Sequence, residues 1–332
     1  MGIIKSRQKT PARPEARVYS IILMDEGFPL WRIKRLDHLL RVIRDGLVGL
    51  AAITEKGKVH RDISEGNILW NSPRNSVPVE SSERGSDQED DSVLDLETPI
   101  VHDHIPKPDE VEESANSDWL DVQNRVIEAS TYQQYVQERY KTTNCIGRLY
   151  DLEFMVEQNR PDEETRCTER TGTAAFISAQ ILLATKRKPV RHTFLHDLES
   201  FFWVLVWAVA NHMGPDKGLN PVAQHIIGWM CCSNETELGL WKRGYILVPK
   251  VPYDDIKGLD NGWSAAKSVV RDFAVFLRDA IYEQEGAAYS DSEDEGSQAK
   301  TECEIRRPWD EIKSVIDIFD KHIFKLQNSG RA

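Results

Sequence analysis

The stretch 196–210, "HDLESFFWVLVWAVA", constrains this chain more than any other. Read as a helix it is apolar on almost every face, so it cannot lie on a surface and must run through the middle of a domain. Its apolar run, Phe201 to Ala210, is too short to cross a bilayer, so no transmembrane segment is expected. Other helices must therefore wrap it, and the sequence supplies them. From Leu36 to Glu55 apolar residues recur at Leu36, Leu39, Leu40, Ile43, Leu47 and Leu50, with Arg41, Arg44 and Asp45 on the opposite face, which reads as an amphipathic helix stopped by Gly57. Similar spacing predicts helices over 119–140 (capped by Ser117 or Asp118), 264–283 and 309–326. Strands are few and short: Val18 to Met24 before a Gly-Pro turn, "NILW" at 67–70 and "CIGRLYDLEFMV" at 145–156, while "RTGTAAFISAQILLA" reads as a turn followed by a short helix. The expected fold class is α+β, mainly α.

Net charge is −12, but its distribution matters more than its sum. Between Glu80 and Asp121 there are 15 acidic residues against Arg84 and Lys107, so the remainder of the chain is near neutral. Residues 71–116 are rich in Ser, Pro, Asp and Glu, a disordered composition, and read as an acidic insert, more simply a soluble tether than a docking site for a basic partner. Residues 1–16 are basic and proline-containing and read as a flexible tail. The N-terminus carries no secretory h-region, and the five cysteines show no CxxC spacing, which suits a reduced intracellular chain, cytoplasmic or nuclear, without structural zinc. "MGIIKS" fits the N-myristoylation pattern at Gly2, a pattern that chance also produces. His102 and His104 within the acidic stretch are weak metal candidates, and the aromatics Phe201, Phe202, Trp203 and Trp207 read as core, giving no platform for nucleic acid.

The chemistry lies in residues 59–70, "VHRDISEGNILW". His60-Arg61-Asp62, with Asn67 five residues after the Asp, has the spacing of a protein-kinase catalytic loop. Phosphoryl transfer needs a carboxylate beside the attacking hydroxyl and oxygen ligands that hold Mg²⁺ on the phosphates. Asp62 suits the first role, Asn67 and Asp151 in "RLYDLEF" the second.

Together, "HRDIS.GNIL", "RTGT..F.S..IL" and "HDLESFFWVL.W" resemble the fungal-type protein kinase family, over roughly residues 17–70 and 144–326. The resemblance implies a protein-kinase-like C-lobe using ATP and Mg²⁺ on a protein substrate, with Ser/Thr-type transfer. It makes Arg17 to Leu30 the last N-lobe strand and hinge, 36–55 the helix leading to the catalytic loop, 117–143 an insert helix, 144–328 the rest of the C-lobe and 151–180 the activation segment. By the same resemblance His60, Arg61 and Asp62 are catalytic. Met24 and Glu26 of the hinge, with Leu69, contact the nucleotide. Asp197 accepts hydrogen bonds from the catalytic-loop backbone. Gln180, where a glutamate usually closes the activation segment, pairs with Arg307, and Thr173 lines the substrate pocket. Thr165, Thr168 and Thr171 are solvated loop, or phosphate acceptors facing Arg61.

Three departures qualify that picture. Asp151-Leu152-Glu153 stands where Asp-Phe-Gly is usual; Leu152 is expected to fill the apolar space beneath the site and Glu153 to point outward. Gln180 makes a weaker anchor than a carboxylate, since charge-assisted bonds are about twice as strong as neutral ones. Only 59 residues precede His60, and they hold no glycine-rich loop, strand lysine or αC glutamate, so most of an N-lobe is expected to be absent. The reading is therefore a truncated kinase or a pseudokinase-like interaction module. A small-molecule phosphotransferase of the aminoglycoside-kinase type is disfavoured by the long "RTGTAAF" segment.

Overall fold

Helix α1 (Leu36–Thr54) is the floor on which the site is built. Leu39, Leu40, Ile43, Leu47 and Leu50 are all fully buried, as their spacing requires. It ends at Gly57, whose φ of +68° is the left-handed turn that glycine adopts without steric cost. The computed structural model describes residues 27–71, 127–141, 145–159, 172–185, 187, 189–214, 217–247, 263–290 (side chains to 281) and 307–328. The expected strand Val18–Met24, the nucleotide contacts Met24 and Glu26, nearly all of the acidic insert, Gly2, His102, His104, Thr165, Thr168 and Thr171 lie outside the described residues.

Three short strands form an antiparallel sheet in the order β1 (Phe28–Pro29), β3 (Ile68–Trp70), β4 (Gly147–Leu149), with Phe28 opposite Trp70 and Leu69 opposite Arg148. A second pair joins β2 (Lys58–Val59) to β5 (Val156–Glu157). The remaining elements are helices: α2 (Tyr132–Arg139), α3 (Ala179–Leu183), α4 (Phe194–Asn211), α5 (Pro221–Met230), α6 (Glu235–Leu247), α7 (Ala266–Ser290) and α8 (Pro308–Asn328). The chain is thus mainly helical with a few short strands. Among the described residues no helix is long and apolar enough to cross a membrane.

Helix α4 occupies the centre that its composition demands. Phe201, Phe202, Trp203, Val204, Leu205 and Val206 are completely buried, and α1, α5 and α7 pack around it. Its start is fixed by a reciprocal cap: Thr193 and His196 exchange side-chain-to-backbone hydrogen bonds across the first turn.

Two expectations about the packing are corrected. The polar side of α1 is not a solvated face, since Arg41, Arg44 and Asp45 are as buried as its leucines. Asp45 accepts hydrogen bonds from the Ile146 and Gly147 amides (2.9 and 3.1 Å), the Tyr140 hydroxyl (2.9 Å) and Arg44 (2.9 Å). Asp320 of α8 accepts from Arg44 (3.1 Å), from Arg139 and from the Tyr135 hydroxyl. Burial opposes the Arg44 charge, but Asp45 and Asp320 outweigh it and hold the guanidinium above its ordinary value. The helix expected over 119–140 is also different. Residues 127–131 are non-helical, and α2 begins only after Thr131, whose hydroxyl accepts from the Gln134 amide. Through Ile127 and Tyr135 this segment joins the main core, with Tyr135 and Tyr132 packed on Trp309 of α8.

Strand β4 presses directly on α1. A Cβ at Gly147 would overlap the Val42 carbonyl, so glycine is required there by space. Gly147→Ala should cost about 1–3 kcal/mol or more in urea unfolding, the range for forced overpacking. Asp320→Ala should cost about 3–5 kcal/mol in the same measurement, because two buried guanidinium groups lose their shared carboxylate.

Candidate active site

The segment that follows β2 is held from below by one buried carboxylate. Asp197, in the first turn of α4 and fully buried, accepts from the His60 amide (2.8 Å, Oδ2), the Arg61 amide (3.0 Å, Oδ1) and His192 Nε2 (2.8 Å, Oδ1). Burial alone would raise its pKa. His192 and the His60 amide outweigh that and hold it below the usual carboxylate range. Those bonds sustain an otherwise costly backbone: Arg61 has φ +74°, a left-handed conformation worth about 1–3 kcal/mol of strain in a non-glycine residue.

His60 ties this loop to the strand arriving from β4. Its Nε2 donates to the Tyr150 carbonyl (2.9 Å) while Nδ1 accepts from the Asp62 amide (3.3 Å), which fixes the neutral tautomer. The Tyr150 amide in turn donates to the Asn67 carbonyl (2.8 Å). Residue 151 is therefore delivered beside the loop, and Asp151 itself is left-handed (φ +58°) and exposed. Asn67 donates from Nδ2 to the Asp62 carbonyl (2.8 Å), which turns its amide oxygen away from that bond.

Asp151 is thus brought near enough for its charge to act on Asp62, and Asn67 is bonded to the backbone of residues 62 and 150. The Asp62 carboxyl is pushed up by partial burial and by the Asp151 charge, more than Asn67 pulls it down. Two carboxylates and an amide oxygen at such a place are hard oxygen donors of the kind Mg²⁺ accepts alongside phosphate oxygens, and a divalent cation would relieve their mutual repulsion. Among the described residues no group of three or more His, Cys, Asp or Glu side chains could by itself hold a metal. That is compatible with an ion completed by substrate phosphates.

Gly172 (φ +99°) closes the other side, where an added Cβ would come within 2.9 Å of Asp62 Oδ1. Thr173 is exposed next to it, and its carbonyl accepts from the Phe176 amide (2.8 Å). Leu69 lies on β3 opposite Pro29, packed against Gly27.

Not every expected residue takes its expected place. Gln180 does not pair with Arg307: its Oε1 accepts from His196 Nε2 (2.9 Å), while Arg307 is exposed at the start of α8, which packs on α1 and α7. Leu152 does not fill the space beneath the site. Residues 152–154 form a 3₁₀ turn that leaves Leu152 47% and Phe154 38% exposed, with Glu153 pointing outward.

Three residues that sequence reasoning missed support the site. His192 completes the grip on Asp197. Glu199 and Lys242, 2% and 0% exposed, hold the segment after Gly172. A signal for Glu199 was available, because a lone carboxylate inside a helix that must be buried on all faces demands a partner. Lys242 left no such trace, since backbone carbonyls are its acceptors.

The model of the fungal protein kinase family matches residues 3–209. The chain belongs to the fungal protein kinase family. No curated protein and no solved structure gives a significant match. The matched span takes in α1, the catalytic-loop motif, Asp151, the turn at Gly172 and nearly all of α4.

The Asp197 linkage has a definite sign. A carboxyl depressed on folding contributes stability that is present above its ordinary value of 3.8 and is lost as pH falls through the lower folded value. Asp197→Asn should cost about 1–3 kcal/mol at neutral pH by leaving a buried amide donor unsatisfied. The gap to wild type should narrow only below about 3.8 in pH-dependent denaturant unfolding.

Proposed function

We propose that this chain is a phosphotransferase of the protein-kinase type, moving the terminal phosphoryl group of ATP to a serine or threonine hydroxyl of a protein. What supports this reading is that the Asp151 charge acts on Asp62 while Asn67 bonds the Asp62 carbonyl, with the loop bearing Asp62 fastened by Asp197. Mg²⁺ bound with ATP would neutralise phosphate charge and orient the transferred group. Asn67 and Asp151 would supply protein oxygens to that ion. Asp62 orients the acceptor hydroxyl and accepts its proton. His60, bonded at both nitrogens, keeps the loop and residue 151 in register, while the exposed Gly172 and Thr173 border Asp62 where an extended acceptor would lie. Leu69 would contribute to the nucleotide's apolar surroundings.

A second reading, a non-catalytic module that binds a protein partner, is favoured by one observation: Leu152 and Phe154 present apolar surface beside Asp151.

Calorimetric titration with Mg·ATP and a phosphotransfer assay separate the two. In the enzyme reading, Asp151→Ala abolishes Mg²⁺-dependent nucleotide binding. Asp62→Ala leaves binding in place but lowers transfer by about 10²–10⁴-fold, the usual contribution of a general base. Wild-type protein that binds no nucleotide at millimolar concentration would select the interaction module.

A further inference from the structure

Beneath the turn at Gly172 lies a pair of buried charges that the catalytic reading does not use. Lys242 of α6 donates from Nζ to the Ile177 carbonyl (2.6 Å) and the Ala174 carbonyl (3.2 Å), and lies 4.9 Å from the centre of the Trp203 ring. Glu199 of α4 accepts through Oε1 from the Ala179 amide (2.8 Å) and Trp203 Nε1 (3.0 Å). One side chain thus takes the carbonyls of a turn and the other takes the amide that opens α3. Residues 174–179 are gripped at both ends by two helices of the core.

The grip reaches the site by a short path. Two residues before the Ala174 carbonyl stands Gly172, whose α-carbon faces the Asp62 carboxylate too closely for a side chain. Between them the Thr173 carbonyl closes the turn on the Phe176 and Ile177 amides, and Phe176 rests edge-on against Trp207 at 5.8 Å. On the far side α3 lies against α6 at Gly239, where a Cβ would meet Leu183 and Leu182 at 2.9 and 3.1 Å. Gln180 and Arg307, which the sequence nominates for this fastening, are not joined.

We propose that Lys242 and Glu199 are positioning residues for the acceptor, clamping residues 174–179 so that Gly172 and Thr173 present an incoming chain to Asp62. The proposal rests on the phosphotransferase reading and identifies what sets the acceptor-facing side of that site. Burial lowers the pKa of Lys242 and raises that of Glu199, while each charge favours the other. Without Lys242, the buried Ile177 carbonyl and the part-buried Ala174 carbonyl lose their donor.

Hydrogen-exchange mass spectrometry on the full chain tests the clamp without any assay of activity. In Lys242→Met, exchange in residues 172–183 should rise about tenfold or more, a local opening, with residues 36–54 unchanged. Phe319→Leu, a distant core change, should raise both together. Glu199→Gln keeps an oxygen acceptor and tests the clamp if Lys242→Met folds poorly; it should give a smaller rise confined to the same residues. The double variant should resemble Lys242→Met alone, as coupled residues do. In phosphotransfer, Lys242→Met should raise KM for a peptide acceptor about tenfold, a loss of ~1.4 kcal/mol in acceptor binding, and leave KM for Mg·ATP unchanged. Exchange in 172–183 that stays at the wild-type rate, or that rises only in step with 36–54, overturns the clamp; equal rises in both KM values overturn its positioning role. A wild-type chain that transfers no phosphate would defeat the enzyme reading, and with it the acceptor role, while the exchange data would still decide whether the clamp exists.

Discussion

The buried carboxylate of Asp197 is the constraint from which the site follows. A charge at the bottom of an apolar helix is tolerable only when its lone pairs are filled. Here they are filled by two consecutive amides of the loop and one histidine ring. The loop amides can reach it only if Arg61 takes a left-handed backbone, so the need of a central carboxylate for donors is met by strain at the rim. The core and the chemistry are thereby parts of one hydrogen-bonded arrangement.

A second arrangement, centred on Asp45 of α1 fifteen residues before His60, fixes the other boundary of the site. Asp45 takes the amides that begin β4, and Asp320 joins α8 to α1 and α2 through Arg44 and Arg139. Since β4 runs directly into Asp151, the position of that carboxylate depends on α1 as well as on the loop. The two acids at the site descend from different supports, Asp62 from α4 and Asp151 from α1 and β3. Their approach to one another is a property of the whole helical assembly.

Much of this was legible in the chain. The all-round apolarity of 196–210 located the central helix, apolar spacing located α1, α7 and α8, and the interval from Asp62 to Asn67 marked the loop. What escaped shares a physical cause: periodicity registers whether a residue is apolar and says little about a polar residue that finds partners indoors. Arg41, Arg44 and Asp45 therefore read as a wet face although they are among the most buried side chains present. Gln180 and Arg307 were nominated by resemblance, but the fastening in their neighbourhood is made by Glu199 and Lys242. Leu152 read as an interior residue because of its neighbours in sequence, and the 3₁₀ turn after Asp151 instead swings it outward.

The meeting of β3 and β4 has a consequence for how separation along the chain relates to separation in space. The Asn71 amide donates to the Ile146 carbonyl at 2.8 Å, so the chain leaves and re-enters the sheet at a single hydrogen bond. Closing a longer excursion over a fixed gap costs only about 0.6 kcal/mol for each doubling of its length. Strands β3 and β4 thus stay joined by their own ladder, whatever length of chain separates Asn71 from Ile146 in sequence. The distance along the chain from Asp62 to Asp151 therefore says little about their distance in space, which the ladder of β3 on β4 sets.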